Sequence, residues 1–131
     1  TLFPYTTLFR SVRDTIDWDR DRYAQKLADA LIDPECAIRA PMMIALASGD
    51  PEAAEIAARI CSKNSLEVLA DWFGGEDAHD RTLAMAMLTT GYVIYARQLP
   101  LPPKLGGDIS KVQRWFVATM KKLVSGQGWL D

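Results

Sequence analysis

The chain has no run of basic residues, and its formal net charge is −2. Gripping a phosphate backbone takes clustered Lys and Arg, so this segment is not read as a nucleic-acid surface. Histidine occurs once, at His79. Cysteine occurs twice, at Cys36 and Cys61, with no CxxC spacing and no histidine beside either. No metal-ligand pattern results, and two free buried thiols in a reducing compartment is the plain reading. Catalytic signatures are missing as well: there is no GxSxG, HExxH, Walker loop or GxGxxG. A Ser/His/Asp set would have to use His79, which falls in the polar first turn of a helix. Glu67 and Asp71 form an i,i+4 carboxylate pair that suits a solvated helix face better than acid–base work. Other carboxylates gather at helix starts, where capping accounts for them. Beyond the first eleven residues nothing alternates with period two, and nothing repeats at a solenoid period. No enzyme and no cofactor are expected.

What is present is apolar volume. The 131 residues are 49% hydrophobic and 24% charged, the balance of one soluble domain able to bury a core. The centre of that core is the stretch RTLAMAMLTTGYVIYARQLPL, Arg81 to Leu101. No residue from Leu83 to Ala96 carries a charge, and the run ends abruptly at Arg97. It is apolar on every side of the helix it should form, so neighbours must cover it on several sides. It falls short of the roughly 20 apolar residues that span a bilayer, so no membrane segment is expected.

The other helices follow from periodicity and punctuation. Trp18 to Ile32 reads as a first helix, with Tyr23, Leu27, Ala30 and Leu31 on one face and Asp14, Asp17, Asp19 and Asp21 crowding its start. Asp33-Pro34-Glu35 ends it and opens a second helix to about Ala47, facing inward with Ile38, Met42, Ala45 and Leu46. Pro41 should kink that helix or split it. Gly49, Asp50 and Pro51 then stop one helix, cap the next and open it. The third helix carries Ile56, Ala57, Ile60, Cys61, Val68, Leu69, Trp72 and Phe73, is interrupted at Lys63-Asn64-Ser65, and ends at Gly74-Gly75. Asp77 should cap the fourth, the uncharged helix. QLPLPPKLGG, from Gln98, is a stiff loop held to the surface by Leu99, Leu101 and Leu105. Asp108 caps a fifth helix to about Ser125, with Ile109, Val112, Phe116, Met120 and Leu123 inward, widened by Trp115 and Val124, and Gly126 ends it. The fold class is therefore all-α, a five-helix bundle.

Two jobs are expected of these helices. Met42, Met43, Met85 and Met87 lie on two helices expected to be neighbours, and methionine adapts to varied ligands. Thr89, Thr90, Tyr92 and Tyr95 add hydroxyls at the same level. A mostly apolar cavity with a few hydroxyls would hold a small lipophilic molecule. Its expected lining is Met42, Met43, Leu46, Ile60, Trp72, Leu83, Met87, Leu88 and Tyr95. A second face, with Met85, Thr89, Val93, Val112, Trp115, Phe116 and Met120, is expected to meet a second copy by two-fold symmetry. Gly91 in mid-helix costs about 1 kcal/mol relative to Ala, which a close helix crossing would justify. A filled core with no cavity, making the chain a structural or interaction module, is the competing reading.

IRAPMMIALASGDPEAAEIAARI followed by LADWFGGEDAHDRTLAMAMLTTGYVIYARQLPL resembles the C-terminal domain of TetR-family transcriptional regulators. The resembling features are the short ASGDPE link, LADWFGGEDAHDR leading into a long apolar helix with a mid-helix glycine, then a Leu/Pro loop and one last helix. The resemblance spans roughly Trp18 to Ser125. It implies an effector pocket, a homodimer paired through the helices of Arg81–Arg97 and Asp108–Ser125, and a repressor acting on operator DNA in the cytoplasm. DNA would be bound only through an N-terminal helix-turn-helix domain preceding Val12. Residues 1–11, TLFPYTTLFRS, resemble residue for residue the in-frame translation of a sequencing adapter, so the domain proper is expected to be 12–131.

Overall fold

Aspartate and glycine cut the chain into helices, and a computed structural model shows how. It describes residues 19–33, 49–99, 101 and 105–131. Five α-helices are described: α1 (Arg20–Ile32), α2 (Pro51–Cys61), α3 (Glu67–Phe73), α4 (Ala78–Tyr92) and α5 (Ile109–Ser125). A π turn at Ser62–Leu66 joins α2 to α3, and a second, Val93–Gln98, prolongs α4. No strand occurs among the described residues. The all-α class holds, but the five helices are divided differently from expectation. The expected second helix, with Pro41, lies outside the described residues, as does Trp18, and the expected third helix is α2, the first π turn and α3.

Three starts follow the capping rule. The carboxylate of Asp19 accepts from the Asp21 amide at 3.1 Å. That of Asp50 accepts from Glu52 at 3.0 Å, with Pro51 in the first helical position. That of Asp108 accepts from the Ser110 amide at 3.0 Å and the Ser110 hydroxyl at 2.6 Å. Each satisfies an amide that the first turn leaves without a helical partner. Asp77 does not follow it. Its backbone is left-handed, φ 57°, and its side chain makes no capping bond. A capping side chain needs an extended backbone beneath it, and the tight reversal through Gly74 and Gly75 leaves Asp77 no such conformation.

The first π turn falls on the Lys63-Asn64-Ser65 interruption. Ala57, Ser65, Leu69 and Phe73 are buried, with Cys61 half-buried between them. That row is spaced by four, more than the 3.6 residues of an α-helical turn, so a regular helix would rotate it away from the core. One wider π turn takes up the excess.

The core joins α1, α3, α4 and α5. Tyr23, Ala28 and Leu31 meet Leu69 and Phe73, then Met85, Tyr92 and Val93, then Phe116, Met120, Leu123 and Val124. Tyr23 lies 4.7 Å from Trp72 and edge-on to Phe73 at 6.5 Å. Tyr92 stacks on Phe116 at 4.5 Å, which fixes α4 against α5. Arg97 reaches from the second π turn to the Leu31 carbonyl at 3.2 Å, tying α4 to the end of α1.

Candidate functional site

Between α4 and α5 runs an apolar groove of about 500 Å³. Met87, Leu88, Gly91, Tyr92, Tyr95 and Ala96 form one wall; Ile109, Val112, Trp115 and Phe116 form the other; Leu101 and Leu105 from the loop close one end. Its floor is the Tyr92–Phe116 stack, where the Tyr92 hydroxyl accepts from Gln113 Nε2 at 3.1 Å. Among the described lining residues only Asp108 carries a formal charge, and Ser110 hydrogen-bonds its carboxylate. These hydrogen bonds from Ser110 hold the Asp108 carboxyl below the usual carboxylate range. Met87 is 68% exposed and Trp115 58% exposed, so large apolar groups stand out of the groove as well as lining it.

A second cluster is polar and holds one buried and one exposed arginine. Arg81, at the start of α4, is 2% exposed. Its Nη1 donates to the carbonyls of Leu123 at 2.9 Å and Val124 at 3.2 Å, its Nε to Glu76 at 3.1 Å, and its Nη2 to Gly74. Arg20, at the start of α1, donates to the carbonyls of Trp72 at 2.9 Å, Val124 at 3.1 Å and Phe73. Both guanidiniums sit over rings, Arg81 on Phe73 at 5.6 Å and Arg20 on Trp72 at 5.4 Å. The last carbonyls of α3 and α5 lack helical partners and carry partial negative charge, so they are the acceptors a buried cation needs. Sequence reading missed both arginines, because Arg81 sits among the charged residues Glu76, Asp77 and Asp80 and its acceptors lie on distant helix ends.

A third feature is two buried hydroxyls. Ser65 in the first π turn is 3% exposed and Thr82 in α4 is 1% exposed, and neither hydroxyl has a hydrogen-bond partner. The first π turn packs on α4, so both lie in that layer.

A model of the family described as Tetracyclin repressor-like, C-terminal domain, matches residues 20–124. The chain belongs to that family. No curated protein and no solved structure matches it. TetR C-terminal domains are the regulatory parts of transcription regulators, where ligand binding and dimerisation reside. Among the described residues no helix is long and apolar enough to cross a membrane, and no three His, Cys, Asp or Glu side chains are grouped so as to hold a metal ion.

In this TetR domain the expected lining splits. Met42, Met43 and Leu46 lie outside the described residues. Met87, Leu88 and Tyr95 come together, but in the α4–α5 groove. Trp72 packs elsewhere, against Tyr23 and Arg20, while Ile60 is half-buried on α2 and Leu83 is exposed. The expected interface splits too. Val112 and Trp115 are exposed and line the groove, with Phe116 in its floor. Met85, Val93, Phe116 and Met120 are buried in the chain's own core and have no exposed surface to offer a partner. Thr89 bonds back to the Met85 carbonyl at 2.9 Å. The open side of α4 is thus the Met87–Tyr95 side, and the Met85–Val93 side faces inward. A helix apolar all round has no polar stripe to mark which side is which. His79, Glu67 and Asp71 are exposed, on the surface as expected.

Proposed function

We propose that this chain is the effector-sensing and dimerisation domain of a TetR-like repressor that works on operator DNA in the cytoplasm. The observation that carries the reading is the groove between α4 and α5, apolar and open along its length. Monomers rarely leave such a patch uncovered unless something binds there. A second copy covers it, with Met87, Tyr95, Val112 and Trp115 as the contact residues. The effector is a small lipophilic molecule with a hydrogen-bonding group. Its polar end meets Ser65 and Thr82, because a buried hydroxyl left unpaired costs about 1–3 kcal/mol and a ligand atom would relieve that. The ligand acts by favouring one dimer geometry over another, which resets the spacing of an N-terminal DNA-binding domain.

The test is light scattering together with thermal unfolding against a panel of apolar compounds. The expected result is a dimer and at least one stabilising compound; a ligand at 100 times its Kd adds about 2.7 kcal/mol. A monomer that no compound stabilises would overturn both halves.

A further inference from the structure

Gly91 is the last residue but one of α4, just before the second π turn prolongs the helix, and neither its backbone nor a described neighbour calls for a glycine. Its φ is not positive, so the backbone does not require it. A Cβ placed on it would meet nothing within 4 Å, so no neighbour among the described residues requires it either. The helix would be more stable by about 1 kcal/mol with alanine there. What remains is close approach by something from outside the chain, and Gly91 lies in the wall of the open groove.

We propose that the hollow over Gly91 seats Trp115 of a second copy, so that two reciprocal Trp115–Gly91 contacts set the geometry of the dimer. This rests on the dimer reading above and specifies its contact. A two-fold interface needs knob and hollow on one surface, and both are here. The Tyr92–Phe116 stack at 4.5 Å places the chain neighbours Gly91 and Trp115 at one level of the bundle. A two-fold axis running along the groove between α4 and α5, in the plane of the contact, lays α4 over the α5 of the second copy and brings each Trp115 over the opposite Gly91. The 500 Å³ hollow accommodates an indole together with the end of Met87. Trp115 is more than half exposed, and an aromatic anchor in a desolvated pocket is the commonest source of interface energy. Among the described residues lining the groove, Asp108 at one end carries the one formal charge, so charge on those residues does not oppose the approach.

The experiment is sedimentation equilibrium of the 131-residue chain and the variants Gly91→Met, Trp115→Ala and the double substitution, with circular dichroism on each. The expected result is a wild-type dimer, and single variants that stay helical while their dimer Kd rises at least about tenfold. Gly91→Met should unfold no earlier than wild type at dilutions where both are monomeric, which separates lost association from lost folding. The double variant should weaken the dimer by less than the two single effects combined, because the residues share one contact. A wild-type monomer would sink the dimer reading itself. A wild-type dimer with Gly91→Met unaffected, or with additive effects, would overturn the Trp115–Gly91 contact alone. So would a Gly91→Met variant that stays dimeric but loses stabilisation by an apolar compound, which would assign the groove to an effector.

Discussion

Arg20 and Arg81 donate to the same carbonyl oxygen, that of Val124, at 3.1 and 3.2 Å. One arginine begins α1, the other lies in the first turn of α4, and the shared acceptor is at the C-terminal end of α5. The same two side chains reach the last carbonyls of α3. Four helix ends therefore meet at two cations, and a shift of any one is felt by the others.

Arg81→Met should be among the most damaging single substitutions in the domain. It leaves several buried carbonyls without donors, and bonds to a charged group contribute about 1.5–3 kcal/mol each. Arg81→Lys should not restore stability, since one ammonium cannot reproduce a planar fork spread over four acceptors. Arg20→Met, at an exposed position, should cost less. Urea midpoints of the three variants check the order.

Substituting alanine at two glycines should give opposite signs. Gly126 has φ 79°, and a Cβ there would stand 3.1 Å from the Arg81 guanidinium. Gly126→Ala should destabilise by about 1–3 kcal/mol through the strained backbone alone. Gly91→Ala should stabilise the monomer by about 1 kcal/mol. Thermal unfolding at low concentration distinguishes them.

Thr82→Val and Ser65→Ala remove hydroxyls that bond to nothing in the free protein. Ligand-free stability should hold or rise, by up to about 1–3 kcal/mol. The same variants should lose most of the stabilisation given by any compound that uses those hydroxyls. A marked loss of stability without ligand would contradict the unpaired state.

The Asp108 carboxyl is held low by Ser110. A depressed folded pKa means this group contributes stability above its unfolded pKa and loses it as pH falls through the folded value. Asp108→Asn should therefore flatten the acid side of the stability profile, where pH falls from the ordinary carboxylate range through the lowered folded value, and leave its neutral region nearly unchanged. Ser110→Ala should act in the same direction. Urea midpoints against pH measure this.

Helix punctuation was legible in the sequence because caps act within one turn. Asp50-Pro51, Asp108 and Gly126 all stand where local rules put them. Asp77 failed because its backbone is set by the reversal before it rather than by the helix after it. The site was less legible. Val112, Trp115, Met87 and Tyr95 were picked out as functional, but which side of α4 faced outward could not be read from a helix lacking a polar stripe. Arg81 was invisible for another reason: its acceptors belong to helix ends far away in the chain, and nothing local marks them.

The π turn at Ser62–Leu66 amounts to spare length. A helix shorter by one residue at that point could run as continuous α-helix and still present Ala57 and Phe73 to the same side. Deletion there should be tolerated where deletion elsewhere in Pro51–Phe73 would put the row out of phase. What the shorter helix would lose is Ser65 in its buried place, so the surplus residue and the unpaired hydroxyl stand or fall together.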